Sequence, residues 1–143
     1  GLLDITGEAP LYAAQRELAE ETALGAHRWR SLVDYYTTPG AASEAGRIYL
    51  AQDLYEIPEA DRIVRRDEEA EITYRWGPLE QAVRLVLAGR LHNGLAIQAI
   101  LAAYCAVEAR QEQLPLRDAA DTWDFHPYLG ERRIRPETFK HEE

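Results

Sequence analysis

Arg16-Glu17-Leu18-Ala19-Glu20-Glu21 places three carboxylates within two turns of any helix it forms. At about 100° per residue, Glu17, Glu20 and Glu21 fall within an arc of roughly 100°. Leu11, Ala14 and Leu18, at i, i+3 and i+7, form an apolar stripe beside them. Glu17 and Glu21 are a like-charge i,i+4 pair, which opposes the helix by about 0.2–0.5 kcal/mol. Glu20 and Glu21 also lie toward the negative end of the helix dipole, a further penalty of about 0.3 kcal/mol. Arg16, four residues before Glu20, offers local relief to that residue but points away from the carboxylate arc. Two readings compete: a solvated acidic face, or carboxylates gathered for a cation. The surrounding spacing favours the second.

Read outward, the segment is Gly1, six residues, Glu8, seven residues, then Arg16-Glu17-Leu18-Ala19-Glu20-Glu21-Thr22-Ala23-Leu24. It resembles the signature of the Nudix hydrolases, G-x5-E-x7-R-E-U-x-E-E-x-G-U, in which U is a bulky aliphatic residue. One extra residue separates Gly1 from Glu8, which Gly7 can absorb in the loop ahead of the helix. Ala23 stands where the signature has glycine, at a helix C-cap that favours glycine for its left-handed backbone; Gly25 is the alternative cap. The resemblance covers roughly Gly1 to Leu101 and implies an α/β fold of the Nudix type, an α/β/α sandwich around a mixed sheet. In that family several strands precede the signature glycine, so the N-terminal strands are expected to be missing from this chain. Residues 1–113 are then the C-terminal portion of a single Nudix domain, and 114–143 an extended C-terminal tail.

Composition sets further bounds. The chain has 143 residues, 46% hydrophobic and 29% charged, as suits one folded domain. Its longest weakly polar stretch, Leu95 to Val107, falls short of the roughly 20 apolar residues needed to cross a bilayer. No signal-peptide pattern opens the sequence. The expectation is a cytoplasmic protein with no membrane partner. A formal net charge of −9 argues against a nucleic-acid partner, which would require a basic stripe to displace counterions from phosphates. Phosphate-bearing small molecules stay open if metal ions bridge them. The single cysteine, Cys105, excludes an intrachain disulfide framework and reads as a core residue. His27, His92, His126 and His141 lack zinc-binding spacing, and neither a nucleophile elbow nor a P-loop occurs.

Along the chain, Pro10 suits the first position of a helix that should end between Ala23 and Gly25. Trp29 to Tyr36 and Gly46 to Leu54 read as strands from their aromatic and β-branched content. Thr37 to Ala45 is a loop by its Thr38-Pro39-Gly40 turn chemistry. A long polar connection from Tyr55 to Ala70 precedes a third short strand, Ile72 to Trp76. Leu79 to Ala88 keeps helical spacing and ends at Gly89. Asn93 is a credible N-cap for a third helix running from Leu95 to about Gln111.

The chemistry follows from the resemblance. In Nudix hydrolases the arginine of the signature orients the glutamates, and the glutamates bind Mg²⁺ or Mn²⁺; those roles carry over to Arg16 and to Glu17, Glu20 and Glu21. Mg²⁺ itself favours one or two carboxylates plus waters and substrate phosphates. In ADP-ribose-cleaving members a glutamate from a mobile loop completes the metal site or acts as general base; Glu69, with Glu68 next, is the candidate within Asp67-Glu68-Glu69-Ala70-Glu71. Pro39, 15 residues past Leu24, is similar to the marker of the ADP-ribose pyrophosphatase branch, and with Gly40 and Glu44 it is assigned to substrate binding. A plain turn between strands explains Pro39-Gly40 as well, and Ala41-Ala42-Ser43 lacks the aromatic and Ser-Asp pair of that branch. The implied activity is metal-dependent hydrolysis of ADP-ribose to AMP and ribose 5-phosphate by a homodimer paired through the missing N-terminal region. Another nucleotide sugar or NADH as substrate, or a non-catalytic Nudix-fold sensor of nucleotide sugars, are the alternatives.

Overall fold

The computed structural model describes residues 3, 5, 7–42, 44–62, 75–107 and 116–123. Helix α1 spans Pro10–Thr22, beginning at the expected proline, with its first turn closed by Ala13 N–H donating to the Ala9 carbonyl at 3.1 Å. Gly7, at φ +84°, takes the loop ahead of it through a conformation that suits glycine. At the other end the C-cap is Ala23 itself, at φ 57° and ψ 29°, its N–H donating to the Ala19 carbonyl at 2.9 Å. The alternative cap, Gly25, is not used that way. It lies inside a strand directly opposite Tyr55, and the Tyr55 ring occupies the space that a Cβ would take.

Strands β1 (Leu24–Tyr36) and β2 (Ala45–Glu56) form a long antiparallel ribbon joined by the loop 37–44. Both are longer than local propensity indicates. Gly25 to Arg28 are poor strand formers alone, but Gln52 to Tyr55 supply their ladder partners. The ribbon starts in register Leu24 against Glu56 and reaches Ser31 against Tyr49; one residue later the pairing is Val33 against Ile48. The extra residue, Leu32, is a β-bulge, and it brings Asp34 opposite Arg47. Near the loop, Gly46 faces Tyr35 just as Gly25 faces Tyr55, with an aromatic ring laid over each glycine.

Helix α1 packs on β1 and β2, and α3 (Gly94–Val107) packs on β1 and on α2 (Leu79–Leu87). Asn93 caps α3 as expected, its Oδ1 accepting from Ala96 N–H at 3.0 Å. Helix α2 closes at Gly89, φ +65°, with Arg90 N–H donating to the Leu85 carbonyl at 2.9 Å. The third predicted strand falls mostly on Ile72 to Tyr74, outside the described residues; Arg75 and Trp76 are irregular. Residues 108–111 of the predicted third helix are also outside the described residues. Within the stretch read as an extended tail, Arg117–Asp118 forms β3, antiparallel to Arg30 and Ser31, so the described strand order is β2-β1-β3. Ser31, 1% exposed, donates its hydroxyl proton to the Asp118 carbonyl at 3.0 Å, and Ala119 is buried beside it. Among the described residues every strand pairing is antiparallel, and no helix is long and apolar enough to cross a membrane.

Candidate active site

The residue of α1 most withdrawn from solvent is Ala13, 3% exposed. Glu17 and Glu20 lie at i+4 and i+7 from it, on the same face of the helix. The acidic face therefore turns inward, and the side chains of Glu17 and Glu20 are only 15% and 17% exposed. The predicted apolar residues Leu11, Ala14 and Leu18 are half-buried on the neighbouring face. A solvated acidic face is thus not what forms.

Arg16 explains how carboxylates tolerate this position. Contrary to the helical-wheel expectation, its guanidinium does not point away. It donates from Nη1 to Glu17 Oε1 at 3.1 Å and to Glu20 Oε2 at 2.9 Å. The remaining nitrogens are taken by Glu8, with Nε donating to Oε1 and Nη2 to Oε2, each at 3.2 Å. The Glu8 bond is the largest influence that raises the Arg16 pKa still further, outweighing desolvation, so the group is a permanent cation. Glu8 was legible in the sequence only as the spaced glutamate of the signature; its role as the partner that fixes Arg16 depends on the chain folding back over the helix. Such two-pronged arginine–carboxylate contacts define orientation as well as charge.

Glu8, Glu17 and Glu20 thus share the Arg16 guanidinium in a partly desolvated place. The Glu21 side chain, half-buried, makes no hydrogen bond or ion pair among the described residues. Carboxylate oxygens are the donor type for a hard divalent cation. Among the described residues no three acidic, histidine or cysteine side chains converge to hold a metal alone. Glu69 and Glu68 lie outside the described residues.

Among the described residues Pro39, Gly40 and Glu44 share no hydrogen bond or ion pair with the α1 carboxylates. They sit in the exposed loop 37–44, where Glu44 closes the hairpin by accepting from Thr37 N–H at 3.1 Å and from Thr37 Oγ1 at 2.7 Å.

A second charged cluster was not anticipated from the sequence. Arg47, its side chain 2% exposed, donates to Asp34 Oδ1 at 2.6 Å and Oδ2 at 2.9 Å, and to the carbonyls of Asp121 at 2.7 Å and Thr122 at 3.3 Å. Its guanidinium lies 5.0 Å from the ring centre of Trp123. Arg117 adds a bond to Asp34 Oδ2 at 2.7 Å. Burial alone would raise the Asp34 pKa, but the bonds from Arg47 and Arg117 prevail and hold it below the ordinary carboxylate value. Tyr49, hydrogen-bonded to Arg47, is pushed up by burial. Arg47, Tyr49 and residues 119–123 form one wall of a cleft of about 290 Å³ whose other wall is the start of α1, Ala9 to Tyr12.

A model of the NUDIX domain matches residues 1–98. Over 118 residues the chain is 42% identical to the ADP-ribose pyrophosphatase of Mycobacterium tuberculosis, a match covering 81% of this chain and 55% of that protein. Over 94 residues it is 33% identical to the ADP-ribose pyrophosphatase of Bacillus subtilis, covering 66% and 49% respectively. The chain thus spans about half the length of the curated relatives it matches.

Proposed function

The chain belongs to the NUDIX domain family, and from that premise we propose that it hydrolyses a nucleoside diphosphate linked to a second moiety, with ADP-ribose as the substrate and AMP and ribose 5-phosphate as products. The observation that carries this reading is the inward-turned acidic face of α1, with Glu17 and Glu20 held on Arg16 and only 15% and 17% exposed. The relatives named for ADP-ribose supply the substrate. In the reaction a water oxygen bonds to one phosphorus, the bond from that phosphorus to the bridging oxygen breaks, and a proton is released.

Glu17, Glu20 and Glu21 would hold the divalent cation. When bound, it supplies polarisation of phosphoryl oxygens and a lowered pKa for coordinated water. Arg16 sets the directions of Glu17 and Glu20, and Glu8 fixes Arg16. Glu69 is assigned to the same centre, as a further ligand or as the base that accepts the proton from water. The test is AMP release from ADP-ribose with Mg²⁺, comparing the wild-type protein with Glu21→Gln. Loss of release in the variant is expected. No AMP from the wild type, or equal AMP from both, removes the hydrolase reading, and tight binding without cleavage would replace it with a sensor. Faster cleavage of NADH or of another nucleotide sugar would move the substrate within the class. A Glu69→Gln protein with an unchanged rate retires that residue.

A further inference from the structure

Helix α1 is held differently at its two ends. Its C-terminal end is tied to the ribbon: Ala23 leads directly into β1, its carbonyl accepts from Ile57 N–H at 3.0 Å, and Leu24 N–H donates to Thr22 Oγ1 at 3.3 Å. Among the described residues its N-terminal end has no such ladder to the ribbon. Ala9 to Tyr12 instead face Arg47, Tyr49 and residues 119–123 across the cleft. Glu8, one residue before this turn, carries the two bonds that aim Arg16, and Arg16 aims Glu17 and Glu20.

We propose that Arg47 is a positioning residue for the carboxylates of α1, acting through the segment 119–123 and the first turn of the helix on the contact between Glu8 and Arg16. This rests on the reading of Glu17, Glu20 and Glu21 as a metal site. Arg47 is suited to the task because one buried guanidinium joins β1 through Asp34, its own strand β2, and the carbonyls of Asp121 and Thr122. Neighbouring Tyr49 extends the same wall toward the helix. If the wall shifts, Ala9 to Tyr12 settle differently, the Glu8 carboxylate moves, and the Arg16 fork no longer presents Glu17 and Glu20 in one direction. Groups that orient metal ligands commonly affect metal affinity by about 10–100-fold.

The test is Mn²⁺ binding followed by electron paramagnetic resonance in the absence of substrate, on the wild type, Arg47→Lys, Arg117→Gln and Glu21→Gln. Arg28→Gln, which breaks the exposed pair with Asp53, is the control for a general loss of strand contacts. We expect Arg47→Lys to weaken Mn²⁺ by about 10-fold, Arg117→Gln to weaken it less, and Arg28→Gln to leave it unchanged. Unchanged Mn²⁺ affinity in a folded Arg47→Lys protein overturns the proposal. If Arg47→Lys does not fold, wild-type affinity in Arg117→Gln overturns it. Weakening by Glu21→Gln alone leaves the metal site standing and removes only the role of Arg47. A wild type that binds no Mn²⁺ removes both.

Discussion

Arg16 and Arg47 stand in two clusters built from the same residue types with opposite charge balance. Around Arg16, one guanidinium meets Glu8, Glu17 and Glu20. Around Asp34, one carboxylate meets Arg47 and Arg117. The second cluster disposes of its surplus within the protein: Arg47 spends its remaining donors on two backbone carbonyls and stacks on Trp123. The first gathers three carboxylates on its one described guanidinium, on the face of α1 that turns inward. The second cluster is a fastening, whereas the proposed metal role of Glu17, Glu20 and Glu21 makes the first a working site.

The comparison breaks most visibly under alanine at Arg47. Arg47→Ala leaves Asp34 with Arg117 alone and strips the Asp121 and Thr122 carbonyls of their donor, so it should lower unfolding free energy by about 3 kcal/mol, read by urea denaturation. Glu17→Gln should do the reverse of this pattern. We expect a fall in the hydrolysis rate of about 100-fold, equivalent to about 2.7 kcal/mol of barrier. Its stability should stay within about 0.5 kcal/mol of wild type, because relief of the Glu17–Glu21 repulsion offsets the bond to Arg16. A Glu17→Gln protein that unfolds like Arg47→Ala would make the two clusters alike.

Acid provides a subtler separation. Asp34 has a folded pKa below its unfolded value, so the unfolded chain binds the extra proton and stability rises with pH through that window. The contribution of Asp34 is present above about pH 3.8 and lost as pH falls through its lower folded value. Asp34→Asn should remove this acid-limb slope from a plot of thermal midpoint against pH. The smallest expected effect lies between the clusters, at Ala23. An alanine in the left-handed region is disfavoured by about 1–2 kcal/mol, while glycine costs more backbone entropy on folding. Ala23→Gly should therefore stabilise by about 0.5–1 kcal/mol without altering catalysis, measured by the same denaturation.

The local parts of this molecule were legible and the register was not. Pro10 and Asn93 announced their helix ends through backbone chemistry that needs no partner. The carboxylate run could be read as a cation site because spacing along one helix is fixed by its pitch. The inward rotation of that run was hidden, since it depends on which face the ribbon covers. Asp34 opposite Arg47 was hidden as well: without the bulge at Leu32 the pairing would slip by one residue, and nothing local marks that leucine. Arg117–Asp118 is too short a strand to leave a pattern.

The two glycines beneath tyrosine rings turn the ribbon into its own reporter. Gly25 lies against Tyr55 near the C-cap of α1, and Gly46 against Tyr35 beside the 37–44 loop. Protons on a glycine Cα held against a ring face feel its magnetic anisotropy and resonate upfield. Two glycine signals in a proton spectrum therefore watch opposite ends of the hairpin separately, and a substitution that loosens one end will return one signal to its ordinary position while the other stays displaced.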